Sequence, residues 1–169
     1  MCGQTRELDL SKNELSGHIS ADINMQFRGL RFLLLADNKL DGPIPASMGN
    51  MEWLLYLDMS KNRLTGTIPD SFGNIGVYTL LLADNKLQGS VPASLGSEAM
   101  ISLHILDISQ NRLTGNVPPS LGNLLSLEVL NLENNALDGE IPANIGNLSF
   151  LVIFNMAGNH LTGEIPKEL

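Results

Sequence analysis

Few residues in this sequence are of types that catalyse reactions or bind metals. The three histidines, His18, His104 and His160, fall at three different positions of a repeat that runs along the chain, so no two of them can share a metal or form a catalytic dyad. Cys2 is the only cysteine, which excludes an intramolecular disulfide and a thiolate metal cluster. The sequence contains neither a G-x-S-x-G nor a Walker-type phosphate-binding motif. We expect no metal site and no cofactor.

Asp58 and Asp107 are the one pair of carboxylates with a suggestive spacing. They occupy the same position two repeats apart, which corresponds to about 10 Å if each repeat adds one strand to a sheet. That distance approaches the separation of the two acids of an inverting glycosidase. However, nothing in the neighbouring sequence would raise the pKa of one carboxyl group, as a general acid requires. We therefore interpret the chain as non-catalytic.

Composition narrows the class of protein further. Of the 169 residues, 43% are hydrophobic and only 5% are aromatic, so the core must consist of Leu, Ile, Val and Met. The net charge of -8 argues against nucleic acid, since phosphate binding requires a basic surplus. No apolar run reaches the roughly 18 residues that span a bilayer, and no signal-peptide core is seen at the start of the chain.

The strongest pattern is a repeat of about 24 residues. An Asn recurs at spacings of 25, 24, 23, 26, 24 and 24, and a Gly follows each Asn four residues later. A Leu lies between the Asn and the Gly, an Ile or Val follows the Gly by two, and Pro comes next in all repeats but the first. The repeated asparagines, which number the repeats 1 to 7, are Asn13, Asn38, Asn62, Asn85, Asn111, Asn135 and Asn159.

This pattern resembles the plant-type leucine-rich repeat, LxxLxLxxNxLxGxIPxxLGxL, and some ten positions recur seven times. The resemblance implies an α/β-type solenoid: a right-handed superhelix with a parallel β-sheet on the concave face, short second strands, and 3₁₀ turns or loops on the convex side. We expect one domain over residues 1–169. Because the cysteine-paired caps of such ectodomains are missing, we also expect a fragment of a longer protein.

Side-chain periodicity supports this fold independently. Leu57 and Met59 alternate with Tyr56 and Asp58, a period of two that predicts a strand of about five residues ending before the Asn. The Asn amide offers donors and an acceptor to the backbone of the turn, so stacked Asn side chains should tie each repeat to its neighbour as a structural ladder.

Aligned strands place outward side chains in two columns on the concave face. The first begins Glu7, Phe32, Tyr56, Thr79, Ile105, and the second begins Asp9, Leu34, Asp58, Leu81, Asp107. Contiguous exposed apolar groups mark interaction sites, and we hypothesise a partner-binding surface that comprises Phe32, Leu34, Tyr56, Asp58, Leu81, Ile105 and Asp107. An alternative stays open, because "LLLADNK" occurs at both 33–39 and 80–86 and a two-repeat duplication alone would produce the same alternation.

Two charged columns follow the strands. Lys12, Asp37, Lys61 and Asp84 alternate in sign, which predicts a ladder of lateral ion pairs. Beside it, Lys39, Arg63, Lys86 and Arg112 form a basic column that we interpret as a solvated face.

The resemblance also implies a function. The most similar patterns are those of plant leucine-rich-repeat receptor kinase and receptor-like protein ectodomains, which bind peptides, small hormones or co-receptors. A secreted polygalacturonase-inhibitor-like protein and an intracellular scaffold are the alternatives. The expected partner is a protein or peptide ligand or a co-receptor, and the expected location is extracellular. Asn147 of the sequence "NLS" is the one candidate glycosylation site, and a kinase domain could lie elsewhere in a parent protein.

Overall fold

A computed structural model describes residues 4–169, so Cys2 lies outside the described residues. In chain order the strands are β1 (Glu7–Asp9), β2 (Ser16–His18), β3 (Phe32–Leu34), β4 (Lys39–Pro43), β5 (Tyr56–Asp58), β6 (Arg63–Thr65), β7 (Thr79–Leu81), β8 (Gln88–Ser90), β9 (Ile105–Asp107), β10 (Arg112–Asn116), β11 (Val129–Asn131), β12 (Ala136–Asp138) and β13 (Ile153–Asn155). One short α-helix, α1 (Ile23–Gln26), belongs to repeat 1. The 3₁₀ helices are Ala46–Asn50, Asp70–Asn74, Ala93–Gly96, Glu98–Met100, Pro119–Asn123 and Ala143–Asn147.

The odd-numbered strands form one parallel sheet of seven, in the order β1-β3-β5-β7-β9-β11-β13. Their register pairs equivalent residues of successive repeats, for example Phe32 with Tyr56 and Tyr56 with Thr79. Each strand has three residues where alternation predicts about five. The strand is shorter because the chain turns directly after it, as the left-handed backbone of Lys61 (φ 53°) illustrates.

The even-numbered strands form two smaller parallel sheets, β2-β4-β6 and β8-β10-β12. Here the register is staggered by two residues, since Gly42 of repeat 2 faces Leu64 of repeat 3 and not Gly66. The recurring glycine has a positive φ, 78° at Gly89, which explains why Gly occupies this position. The predicted second strands and 3₁₀ helices are therefore both present.

Buried Leu, Ile, Val and Met side chains fill the space between the concave sheet and the helices. Leu57, Met59 and Leu64 of repeat 3 are all fully buried, as the alternation predicts. Phe72 is the one aromatic side chain among the fully buried residues. The two extra residues between Asn85 of repeat 4 and Asn111 of repeat 5 lie in the segment that forms the additional 3₁₀ helix Glu98–Met100, whose Met100 is fully buried. A length change on the helical side is thus accommodated without breaking the sheet.

The repeated asparagines bridge successive turns. Asn62 Nδ2 donates to the carbonyl oxygens of Leu35, Met59 and Ser60 at 2.9, 3.2 and 3.1 Å. Asn62 Oδ1 accepts from the Leu40 N–H at 3.0 Å. Asn85 and Asn135 make the same contacts one and three repeats further on, and all three side chains are at most 9% exposed. Each amide therefore satisfies backbone groups of two repeats at once.

The predicted ladder of lateral ion pairs is wrong. Within residues 4–169 the ion pairs are His18–Asp41 at 3.2 Å and Lys39–Glu14 at 3.1 Å, and neither involves the column Lys12, Asp37, Lys61 and Asp84. Those four residues are exposed and have φ values from 53° to 56°. Their backbone N–H groups link the turns, as Lys61 N–H does to the Ala83 carbonyl at 2.9 Å. An exposed ion pair contributes only about 0–1 kcal/mol, which is too little to hold two solvated side chains together.

Replacing Asn62 with Ala should strongly destabilise the fold. The change leaves the buried Leu40 N–H without its acceptor and removes three bonds to carbonyl oxygens, although the Leu35 carbonyl keeps the bond from Asn38 Nδ2. The expected loss in the free energy of unfolding is about 3 kcal/mol. Urea unfolding followed by circular dichroism measures it. Asn116→Ala, at an exposed position of β10, is the matched control and should cost less than about 0.5 kcal/mol. Equal losses for the two variants would contradict a bridging role.

Candidate functional site on the concave face

The register of the concave sheet brings the predicted partner-binding residues together. One column runs through Phe32, Tyr56, Thr79 and Ile105, and the next runs through Leu34, Asp58, Leu81 and Asp107. Phe32 is 39% exposed, and the other six predicted residues are half-buried. Thr79, which the sequence places in the same outward column, is buried at 8% exposure between the larger Tyr56 and Ile105.

The register places at least one apolar member of this set in each of repeats 2 to 5, with Asp58 between Leu34 and Leu81. We call these five residues the apolar strip: Phe32, Leu34, Tyr56, Leu81 and Ile105. The first column stays apolar beyond it, at Val129 and at Ile153, which is 51% exposed. Next to Leu81 and Asp107 the surface forms a cleft of about 280 Å³ that also includes Asp84 and Glu133. Lys61 also lines this cleft, so the apolar strip borders a charged surface with more carboxylates than cations on the same face.

Sequence reasoning missed two aromatic-type residues at the margin. Tyr78 is 48% exposed and packs edge-to-face on His104, with ring centroids 5.8 Å apart and planes at 78°. Nδ1 of His104 lies 2.7 Å from the Ser102 carbonyl oxygen. Because a carbonyl oxygen only accepts, Nδ1 carries the hydrogen and Nε2 faces away from this bond. Both residues directly precede a strand, a position where the alternation of strand residues no longer applies.

The acidic members of the site are held by neighbouring serines. Asp58 Oδ1 accepts from the N–H and the Oγ of Ser60 at 2.9 and 2.7 Å. Asp107 Oδ1 accepts in the same way from Ser109 at 3.0 and 2.6 Å. In repeat 1, the same bonds from Ser11 lower the pKa of Asp9 below its usual value, with the Oγ bond the largest cause. Each Asp thus caps the turn that follows its strand.

This pairing explains why Asp and Ser occur together on the concave face. Repeats 1, 3 and 5 carry Asp with Ser two residues later, whereas repeats 2 and 4 carry Leu with Ala. Leu34 and Leu81 have no acceptor to offer, and a Ser two residues on would lack this partner. The coupled choice of residue was visible in the sequence, but its cause becomes clear only from the hydrogen bonds.

Tyr56 is the titratable residue of the apolar strip. Burial raises the pKa of its phenol above the ordinary value of 10.0, and the negative charge of Asp58 raises it further. The phenol therefore remains neutral throughout the physiological range and presents a hydrogen-bond donor beside the Asp58 carboxylate.

The other predicted sites lie elsewhere. Asn147 is the exposed last residue of the 3₁₀ helix Ala143–Asn147, on the side opposite the concave sheet. Within residues 4–169, no three His, Cys, Asp or Glu side chains are grouped to hold a metal ion. None of the helices in these residues has the length and apolar character that crossing a membrane would require.

The chain belongs to the leucine-rich repeat family. The family model described as Leucine Rich Repeat matches residues 4–25, 29–51, 53–75, 102–124 and 126–148. The resemblance drawn from the repeated residues is thereby confirmed, and so is the fold class. No curated protein sequence matches the chain.

Solved structures that resemble the chain include plant receptor ectodomains. The ectodomain of the Arabidopsis receptor kinase HAESA, in complex with an IDA peptide hormone, is 36% identical over 99% of this chain and 28% of its own, with a TM-score of 0.93. The GASSHO1/SCHENGEN3 ectodomain from Arabidopsis thaliana, in complex with CASPARIAN STRIP INTEGRITY FACTOR 2, is 36% identical over 95% of this chain and 22% of its own, with a TM-score of 0.84.

Pollen Receptor Kinase 3 is 31% identical over 93% of this chain and 75% of its own, with a TM-score of 0.81. The chain spans about a quarter of the length of the HAESA and GASSHO1 ectodomains.

A double-mutant cycle should show that Asp58 and Ser60 act as a unit. Ser60→Ala alone removes the Oγ–H bond to Asp58 and should lower the free energy of unfolding by about 1 kcal/mol. In an Asp58→Leu background the same change should cost nearly nothing, because the double variant restores the Leu–Ala combination of repeats 2 and 4. Urea unfolding of the four proteins gives the coupling energy. Strictly additive costs would show that the pair is not coupled.

The pKa of Tyr56 should exceed the ordinary value and should fall when the charge of Asp58 is removed. Because the folded-state pKa is raised, the stability that this residue contributes is complete below the unfolded-state pKa of about 10 and is lost as pH rises through the folded-state value.

Tyrosinate absorbance measures both effects, with Tyr56→Phe subtracted to isolate one residue from Tyr78. Asp58→Asn should lower the Tyr56 pKa without restoring the ordinary value, since burial remains. A Tyr56 that ionised below the ordinary value would refute this account.

Proposed function

We propose that this chain is a ligand-recognition segment of a plant-type leucine-rich-repeat receptor ectodomain and that its concave face binds an extended peptide or protein segment. The observation that carries the proposal is the apolar strip, which continues in register across four repeats beside acceptor carboxylates. Contiguous apolar surface with a polar border is typical of interaction sites.

Comparison with similar proteins supports the peptide class of ligand. HAESA is in complex with the peptide hormone IDA, and GASSHO1 is in complex with CASPARIAN STRIP INTEGRITY FACTOR 2. HAESA also forms a complex with IDA and the co-receptor SERK1. We extend this partner class, a peptide ligand with or without a co-receptor, to the present chain. The proposed location is extracellular, where Asn147 would carry a glycan on the side opposite the ligand.

The spacing of the strip constrains the ligand. Leu34 and Leu81 lie two strands apart, about 10 Å, and an extended chain advances about 3.3 Å per residue. Successive side chains of a β-strand point to opposite faces, so residues i and i+3 of a β-strand peptide could not both face these leucines. A peptide in the polyproline II conformation, with three residues per turn and about 3.1 Å per residue, would present apolar side chains at positions i and i+3 to both of them. Between them, Asp58 uses Oδ1 for Ser60, which leaves Oδ2 to accept from a ligand N–H or hydroxyl.

The proposed role is binding without catalysis. The two candidate acids, Asp58 and Asp107, each accept two hydrogen bonds from serine and thereby stabilise turns. Each carboxylate therefore has a structural role in the turn that follows its strand, which accounts for its presence without a catalytic one.

Selection of peptides from a displayed random library, followed by calorimetry on the enriched peptides, tests this proposal. Leu34→Asp and Tyr56→Ala should each weaken binding by about tenfold or more, because each removes an apolar anchor from the centre of the surface. Leu125→Asp makes the same chemical change at an exposed leucine outside the concave sheet and should leave affinity unchanged. If the enriched peptides bound Leu34→Asp and Tyr56→Ala as tightly as the unchanged chain, the concave site would be wrong.

A further inference from the structure

A second candidate site lies on the helical side of the solenoid, away from the concave sheet. A cleft of about 290 Å³ lies between α1 of repeat 1 and the 3₁₀ helix Ala46–Asn50 of repeat 2 with the turn that follows it. We call it the Trp53 cleft, and its lining residues are Asn24, Met25, Arg28, Asn50, Glu52 and Trp53.

The Trp53 cleft arises where the chain departs from its repeat. Repeat 1 has Ser20 in place of the proline, and 25 residues separate Asn13 from Asn38. This segment forms α1, the one α-helix within residues 4–169, where the later repeats form 3₁₀ helices. Asn24 and Arg28 reach the cleft from this altered segment, so none of the later repeats reproduces the arrangement. Local changes of length and conformation in surface segments are where function concentrates in repeat proteins.

Trp53 is the only tryptophan in the chain, and its side chain is 57% exposed. The repeats that follow carry Gly76, Ser102, Ser126 and Phe150 at the same position, three residues before the concave strand. A tight turn holds Trp53, because the Leu54 N–H donates to the Met51 carbonyl at 3.0 Å and the side chains of Met51 and Leu54 are buried. The turn therefore fixes the backbone at Trp53 while the large aromatic side chain remains exposed to solvent.

Four polar side chains surround this ring with hydrogen-bonding capacity to spare. In the described part of the chain, the one side-chain bond that Asn24, Arg28, Asn50 or Glu52 makes is a weak contact from Arg28 Nη2 to Met25 Sδ at 3.9 Å. The ion pairs there involve other residues, so Arg28 and Glu52 are not paired within 4.0 Å. Two amides, a guanidinium and a carboxylate thus remain available to a ligand.

We propose that the Trp53 cleft binds one pyranose ring of an oligosaccharide. The C–H groups on one face of a pyranose are apolar and can stack on the face of an aromatic ring such as that of Trp53. The hydroxyls at the edge of the sugar both donate and accept, which matches planar amide, guanidinium and carboxylate groups. A purely apolar ligand would leave these four groups desolvated without partners, at a cost to binding.

Tryptophan fluorescence tests the proposal directly, because Trp53 is the only tryptophan and therefore reports on this cleft alone. The intact chain is titrated with cellohexaose, a neutral oligosaccharide, and separately with hexagalacturonate, an acidic one. A saturable change in emission with either sugar is expected. The two sugars distinguish the sources, since a uronate carboxylate would pair with Arg28, and Arg28→Gln should then weaken hexagalacturonate by about fivefold more than cellohexaose.

Saturation-transfer NMR on variants supplies the second measurement. Trp53→Ala should abolish the transfer to sugar protons, and Asn50→Ala should weaken binding by about fivefold. Phe150→Ala is the matched control, because Phe150 is an exposed aromatic at the equivalent position of repeat 7 and is 66% exposed. No fluorescence change and no transfer with either sugar at millimolar concentration would overturn the proposal. Equal losses for Phe150→Ala and Trp53→Ala would overturn it as well, because they would indicate nonspecific adhesion to exposed aromatics.

Discussion

The structure depends on how each turn after a concave strand satisfies its backbone. A parallel stack of three-residue strands leaves carbonyl and N–H groups at its edge with no partner in the sheet. The amide of Asn62 joins three such carbonyl groups and one N–H from two successive repeats. Repetition of this contact fixes the distance and the register between repeats. Equivalent residues of successive concave strands, including those of the candidate binding surface, lie side by side because this contact holds the repeats in register.

Much of the fold could be predicted because the repeat reports the register directly. Once Phe32, Tyr56 and Thr79 are aligned by their distance from the Asn, their adjacency in the sheet follows, and the structure pairs them in this order. The stagger of the second strands could not be obtained in this way. It depends on the relative placement of whole repeats, and equivalent letters such as Gly42 and Gly66 do not face each other.

Side-chain contacts were harder to predict than positions. The alternating charges at Lys12 and Asp37 suggest ion pairs. Both residues instead lie in turns where the backbone is left-handed, and their side chains form no ion pair. Conversely, the sequence places Asp58 among the outward-facing partner-binding residues and does not show that its Oδ1 is bonded to Ser60. In both cases the local backbone decides what the side chain meets, and a single sequence does not display that geometry.

The position before each repeated Asn accepts several residue types in one backbone conformation. Lys12, Asp37, Gln110 and Asn134 all hold a φ between 52° and 56°, and Gly158 holds 67°. Cation, anion, amide and glycine occupy one region of backbone conformation. The non-glycine residues donate the same backbone bond to the next repeat, as the Asp37 N–H does to the Ser60 carbonyl at 3.0 Å. Mutation can therefore change the charge along this edge of the solenoid with little effect on the free energy of unfolding. Evolution could in this way alter the long-range electrostatic attraction of a ligand without altering the fold.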